Sequence, residues 1–413
     1  MKKLFTAALL CGLLTDLSYG AGFALYEYSG RSTAMGGAVM ASTAEPASLA
    51  TNPALITELD GTQLQLGGTV VTAHATTTVA GDSRSLQKDV WVLPNFYLTH
   101  KWSEDISFGL GGFSRYGLGG TYKDWRTWGG STLAYKVKLE TFSFTPTIAI
   151  KASDQLSMAM GLEAMTIDFT QNSLANYSPL ITYEIHGEGL SWGGNFSFIY
   201  RPDWAEKWSV GALYRTKVKQ NLNGYIHTST GTDLAASLLN SDAKGSITLP
   251  DSISTGIAFR PNENWVFEVG AVATMWSSYD QITIEYKDHE TAPTIHNRKD
   301  YKDTIRANFG MEYQFIPRWF ARAGYVYDKS PINEHMMDTL VPVDDRHIGS
   351  LGLGYKGETW SVDVAYAHVF GRHLTGDRTD LNTATTPPTP VVRSMRYANG
   401  RSDMFALTVG YKF

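Results

Sequence analysis

What this chain lacks narrows the field before any motif is read. Its 413 residues include one cysteine, Cys11, so neither an intrachain disulfide framework nor a cysteine-built zinc site is available. A strong charge imbalance is missing too: 35 basic residues stand against 40 acidic ones, which gives no basic face for nucleic acid. Disorder is excluded by a hydrophobic content of 43% combined with that small net charge. Beyond residue 20 there is no apolar run of the roughly eighteen residues a transmembrane helix needs. Long stretches rich in Ala, Glu, Lys and Leu are absent as well; in their place are 39 Gly and 12% aromatic residues, an unusual texture for a helical protein.

The first twenty residues read as an export signal. Lys2 and Lys3 precede a short apolar run over residues 4–14, and Ser18, Gly20 and Ala21 supply the small residues of a cleavage site. Leu10, before Cys11, is bulky where a lipoprotein site requires a small residue, so cleavage is expected after Gly20 and the mature chain would carry no cysteine. An exported chain without an apolar helix is either soluble or a membrane β-barrel.

Alternation decides between the two. Phe142, Phe144, Pro146, Ile148 and Ile150 share one face of an extended segment, with Thr141, Ser143, Thr145, Thr147 and Ala149 on the other. Pro146 is expected to interrupt or bulge the ladder. The same period recurs through residues 156–162, 190–200, 208–214, 265–271 and 305–315. Many of these segments run to ten residues or more, which suits a tilted crossing of a bilayer better than a soluble strand of about five or six. Seven long connections, near 73–90, 115–139, 171–187, 220–245, 287–303, 328–346 and 371–401, alternate with six short ones. They predict an all-β membrane protein, a 14-stranded antiparallel transmembrane barrel with both termini periplasmic, provided residues 264–286 form one strand. Trp208, Trp265, Trp319 and Trp360 each follow a short turn and would form an interfacial girdle.

Residues 21–61 do not alternate. They are small, rich in Gly and Ala, and broken by Pro46 and Pro53. Too short for a periplasmic domain and too apolar for a free tail, they are expected to fold as a lumenal plug, or hatch, of short helices, with residues 62–413 forming the barrel. Asn52 and Pro53 would end a plug helix at a defined place. On the strands, alternation sets Arg215, Lys217, Arg306 and Arg322 on the inward face, with Glu268, Glu312, Asp328 and Asp363 as partners.

Several short strings, in order along the whole mature chain, now carry a resemblance. They are Ala21-Gly22-Phe23-Ala24-Leu25, Asn52-Pro53-Ala54-Leu55-Ile56, Trp91-Val92-Leu93-Pro94-Asn95, Arg115-Tyr116-Gly117-Leu118, Tyr301-Lys302-Asp303, Asp328-Lys329-Ser330-Pro331 and the aromatic terminal strand ending at Phe413. Together they resemble the FadL family of outer-membrane transporters for long-chain fatty acids and aromatic hydrocarbons.

The resemblance implies capture of a hydrophobic compound on outer loops, with Trp125, Trp128, Leu174 and Tyr177 as the capturing side chains. It implies transfer to a lumenal pocket that draws on Phe23, Lys302, Arg306 and Arg215, above the plug motif Asn52, Pro53 and Ala54. Sideways release would follow at a strand-three kink marked by Tyr116, Gly117 and Leu118. Lys302 matches a basic position of the family's pocket. The fatty-acid members' Arg in the strand-five region has no counterpart, since Glu163 and Asp168 occur there and no Arg lies between Lys151 and Arg201; this keeps neutral hydrocarbons open as substrates.

Expected partners are a hydrophobic small molecule, the lipid bilayer with its lipopolysaccharide, and the outer-membrane assembly machinery, with a monomer, no nucleic acid and no cofactor. No histidine spacing suggests a metal site and no motif singles out a catalytic serine, so an outer-membrane lipid hydrolase is the weaker rival and a general diffusion porin the closer one.

Overall fold

The computed structural model describes residues 22–175, 178–229, 240–289, 294–342, 344–382 and 389–413. The expected export signal and Tyr177 lie outside them. Alternating sequence and short turns produce fourteen antiparallel strands that close on themselves. They are β1 (Thr62–Val79), β2 (Val90–Lys101), β3 (Ile106–Phe113, then Gly117–Thr121), β4 (Lys136–Lys151), β5 (Leu156–Ala175), β6 (Ser178–Tyr200) and β7 (Trp208–Arg215, then Val218–Ser229). The series continues with β8 (Ser241–Leu249, Ser252–Asn262), β9 (Trp265–Thr274, Gln281–Tyr286) and β10 (Ile295–Arg298, Thr304–Ile316). It ends with β11 (Trp319–Asp328), β12 (Arg346–Lys356), β13 (Trp360–Gly371, Leu374–Asn382) and β14 (Thr389–Lys412). Closure is the pairing of β1 with β14, from Gln63↔Lys412 to Val79↔Met395. Closure leaves the ring without a free edge strand, the condition a sheet must meet in hydrocarbon.

Burial is inverted relative to a soluble sandwich. Met160, Leu162 and Leu190 are more than half exposed, whereas Ser143, Thr145 and Ser197 are fully buried. The apolar face therefore points outward and the small polar face inward, as lipid outside and a packed lumen inside require. The four tryptophans after short turns stand on the outer surface beside other rings: Trp208 against Phe259, Trp265 against Tyr313, Trp319 against Tyr355 and Trp360 against Tyr411.

Pro146 interrupts the ladder, as expected, and does not bulge it: pairing with β5 stops at Phe144↔Ala164 and resumes at Thr147↔Gly161 in the same register. Two other expectations about the strands need correction. Residues 264–286 are not one uninterrupted strand, because a short 3-10 turn, Trp276–Ser278, divides β9. Lys217 is exposed while Arg215 and Val218 are buried. The break at residues 216–217 in β7 inserts residues that do not alternate, and parity counted across it fails.

Residues 22–61 form two short helices, α1 (Gly30–Ala34) and α2 (Ser48–Thr51), and a 3-10 turn, Pro53–Glu58. Ser29 caps α1 by accepting the Ser32 N–H at 3.0 Å. The Asn52 side chain accepts the Ala54 N–H at 3.2 Å and donates to Met40 O at 2.7 Å and Phe198 O at 2.9 Å, so it pins both neighbouring loops and β6. Residues on strands from all round the ring hold this segment. Arg31 meets Glu312 at 3.0 Å, and Arg322 bridges Glu312 and Asp363 at 2.5 Å each. Glu268 accepts the N–H groups of Met40 at 2.5 Å and Ala41 at 3.1 Å. Ser350 donates to Ala34 O at 2.9 Å, and the Arg215 Nη2 donates to Ala50 O at 3.1 Å. At its closest approaches the wall is glycine: a Cβ on Gly324 would strike the backbone of Met35 and Gly36, and one on Gly211 would strike Met40 O.

Candidate functional site

The site begins where β3 stops being a strand. Its lower half pairs with β4 up to Phe113↔Ser143, and its upper half restarts at Gly117↔Glu140, one residue out of register. At the break the Thr141 hydroxyl takes over the ladder's work, accepting the Tyr116 N–H at 3.1 Å and donating to Tyr116 O at 2.8 Å. Arg115 turns inward to Glu163 at 2.7 Å, both side chains buried.

On the other side, pairing between β2 and β3 ends at Phe96↔Gly112. Backbone hydrogen bonding resumes near the long-loop end, where Gln87 N–H reaches Thr121 O at 2.7 Å and Lys123 N–H reaches Ser85 O at 3.0 Å. Between these limits the wall parts. The chain's own N-terminal segment fills the gap: Leu25 N–H donates to Arg115 O at 2.8 Å, Gly117 N–H donates to Phe23 O at 3.0 Å, and Ala24 faces Tyr116 in an isolated antiparallel bridge.

Phe23 is thereby delivered into an aromatic nest. Its ring lies 4.8 Å from Trp276, 5.2 Å from Tyr279 and 5.9 Å from Tyr116, each edge to face. Tyr116 is anchored in turn by its hydroxyl on Pro250 O at 2.8 Å.

Beside this nest lies a cavity of about 1010 Å³. Leu139, Ile167 and Ile348 line it from inward-facing positions, while Glu140, Phe142 and Thr166 line it from the outward side of the same wall. One cavity thus borders both faces of the barrel at the broken strand. Its charged residues include Arg306 and Arg346, both facing Asp328, at 3.6 and 2.6 Å.

The residues expected from sequence divide into three groups. Phe23, Tyr116, Gly117, Leu118 and Arg306 come together at the cavity. Arg215 lies on a separate chamber of about 50 Å³ that Arg306 also lines. Lys302 is exposed and outside the lining. Asn52, Pro53 and Ala54 are buried under the wall of β6 and line neither space. The expected capture side chains turn inward: Trp128 is buried with its indole N–H on Asp82 O at 3.1 Å, Trp125 stacks on Tyr135 at 3.7 Å, and Leu174 is buried.

One part of the site was not among the residues that the sequence assigned to the pocket. The connection between β11 and β12 folds over the cavity, and Thr339, Leu340 and Pro342 line it. Tyr122 donates to Thr339 O at 3.2 Å and Thr339 donates to Ala134 O at 2.6 Å. Asp338 forms an ion pair with Lys299, which is fully buried. Burial works against the Asp338 carboxylate, but Lys299 and Arg378 outweigh it and hold the group below the usual carboxylate range. Among the described residues no cluster of His, Cys, Asp and Glu is placed to hold a metal ion.

The family model described as outer membrane protein transport protein (OMPP1/FadL/TodX) matches residues 12–413. The chain belongs to this family. A Pasteurella multocida 47 kDa outer membrane protein is 22% identical over 99% of both chains. A 26% match to a Neisseria meningitidis protein named as an outer membrane protein covers 55% of this chain and about half, 52%, of that one.

Among solved structures, a Pseudomonas aeruginosa FadL homologue superposes with a TM-score of 0.84 at 19% identity, covering 95% of this chain and all of the other. The Ralstonia pickettii toluene transporter TbuX gives 0.70 at 16% identity, covering 95% of this chain and 100% of that one. At these identities the superpositions speak for the fold. Family and fold together make this an outer-membrane protein of the hydrophobic-compound transporter type, and neither is that of an enzyme.

Proposed function

We propose that the protein takes up long-chain fatty acids, passing them from the outer loops to the cavity beside Phe23 and releasing them sideways into the membrane through the break in β3. Residues 22–61 act in this reading as a fixed plug. The observation that carries it is the single cavity bordered by Leu139 and Ile167 on the inward face and by Phe142 and Thr166 on the outward face, at the one stretch where β2 and β3 do not pair.

Two physical arguments support the sideways route. The axial path is occupied by a segment tied to the wall through buried ion pairs and hydrogen bonds at Glu268, Glu312, Ser350 and Arg215, and displacing it would strip partners from several buried charges at once. An apolar solute also gains nothing by entering water when hydrocarbon lies alongside; each methylene left in water costs about 0.8 kcal/mol. A cavity of about 1010 Å³ is at the large end of small-molecule sites, adequate for a folded long alkyl chain.

Mass spectrometry of organic extracts from the purified protein tests the substrate, with fatty acid expected; aromatic hydrocarbon alone would move the reading to the family's other branch. Planar-bilayer recording tests the class. The plugged barrel should conduct little, and a large steady conductance would make it a porin.

A further inference from the structure

On the outer wall, the two sides of the break carry opposite charge. On one side the surface passes from apolar to basic within four residues of β1. Val70 sits opposite Phe405 and Val92, a row of outward side chains across β14, β1 and β2, and Phe405 and Val92 are 57% and 62% exposed. Two residues on, Thr72 lies between Asp403 and Val90; two further, His74 sits opposite Arg401. The charges that act on His74 are all positive: Arg401, Lys123 and Lys88, each exposed. Asp89 and Asp124 adjoin the two lysines in sequence, but neither is among those charges. Asp403 is engaged by the His368 ring and the Tyr366 hydroxyl, at 2.7 Å each. Across the break the sign reverses. Glu140 sits opposite Asp168, and Asp168 opposite Glu188, over β4, β5 and β6. Lys138 offsets part of this row, 2.9 Å from Glu140 and 3.0 Å from Asp168, and leaves it acidic. His74, Arg401, Glu140, Asp168 and Glu188 all border the main cavity.

We infer that the basic side docks the phosphates of lipopolysaccharide, whose acyl chains then lie on Phe405, Val70, Val92 and Val90. With the long loops outside, as the uptake reading has them, these rows face the outer leaflet. The spacing suits such a lipid: His74 stands about 13 Å along the strand from Val70, so the cations meet the headgroup where the apolar wall ends. Clustered Lys and Arg at the edge of an apolar band recognise anionic headgroups, and the Arg401 guanidinium can hold a phosphate through two parallel hydrogen bonds. Three cations around one histidine match a headgroup with two phosphates better than one with a single phosphate. The acidic row repels the same headgroup. The lipid is therefore held at the β14–β1–β2 edge and kept from the β4–β6 edge, which leaves the opening between them clear.

Native mass spectrometry of the full-length protein in a neutral detergent tests this, with three probes: bisphosphorylated lipid A, the same lipid without its phosphates, and phosphatidylglycerol. The wild-type protein should bind the bisphosphorylated form more tightly than either of the others, by about tenfold. Lys123→Gln combined with Arg401→Gln should remove that preference, and Lys123→Arg with Arg401→Lys should keep it. Lys138→Gln, which neutralises a lysine on the acidic side, should leave it whole. Lys123 and Arg401 are exposed, so an unchanged unfolding temperature is expected for both double variants. Equal binding of the two lipid A forms by the wild type, a preference that survives the glutamine pair, or phosphatidylglycerol bound as tightly as bisphosphorylated lipid A would overturn the site. Oleate uptake by cells carrying the wild-type protein is scored separately: its absence would sink the uptake reading and leave the lipid A result standing.

Discussion

The Phe23 carbonyl accepts the Gly117 amide at 3.0 Å, so residues 23–25 serve as a surrogate strand at the one place where β3 abandons its own ladder. This couples two things a transporter of this kind must coordinate, the contents of the cavity and the closure of the wall. Phe23 touches both: its backbone closes the break and its ring packs against Trp276 and Tyr279 at the cavity's edge. The consequences can be checked one at a time.

Glu312 is the shared acid between Arg31 and Arg322. Glu312→Gln would leave two buried guanidinium groups without their common counter-charge, and breaking a buried pair of this sort costs about 3–5 kcal/mol. Thermal unfolding in detergent should move to lower temperature, and bilayer conductance should rise as the N-terminal segment loosens. An unchanged unfolding temperature would mean the segment is held elsewhere.

Gly324 tests contact by shape rather than charge. An added Cβ would meet the backbone of Met35 and Gly36, which has no flexible side chain to swing aside. Gly324→Ala should therefore destabilise the docked segment by about 1–3 kcal/mol, the usual cost of overpacking, read as a lower unfolding temperature. The same change at Gly349, with only a distant contact at 4.0 Å, should be nearly neutral.

The cap over the cavity should respond to acid. Asp338 has its carboxyl held below the ordinary range by Lys299 and Arg378 against the opposing effect of burial. A depressed folded-state value means the stabilisation is present above the unfolded value of about 3.9 and is lost as pH falls through the folded one. Limited proteolysis of residues 329–342 should thus be slow at pH 6 to 8 and rise below about pH 4. Asp338→Asn, which strands Lys299, should make the segment cleavable at neutral pH.

Much of this molecule was legible in its sequence, for a physical reason that also marks the limit. Side chains in a strand alternate, so the outward Phe142 and Phe144 and the inward Arg306, Arg322 and Glu312 could be read from parity alone, and the partners Glu312, Asp328 and Asp363 are in place. Parity survives only while the backbone stays extended. At residues 216–217 it resets, and Lys217 faces outward beside an inward Arg215. Loops have no period at all. The resemblance implied Trp128 as a capturing side chain on an outer loop, whereas Trp128 and Tyr122 pack on each other at 4.5 Å beneath the cap. The pair of Lys299 and Asp338, 39 residues apart, had no pattern to announce it. The resemblance implied a kink at Tyr116, Gly117 and Leu118, but nothing in the sequence said that residues 23–25 would fill it.

Passage through the wall at β3 is the central claim, and Ala24 and Tyr116 offer the most direct test. They face each other across a bridge flanked by the Leu25–Arg115 and Gly117–Phe23 hydrogen bonds, the close-set kind of antiparallel pair in which Cα atoms are about 4.5 Å apart, within reach of a disulfide. The one native cysteine, Cys11, precedes the expected cleavage point and would not interfere. The measurement is uptake of labelled oleate by cells carrying Ala24→Cys with Tyr116→Cys, before and after reduction. Oxidised protein should transport at least tenfold more slowly than the same protein reduced; equal rates in the two states would contradict release through this break.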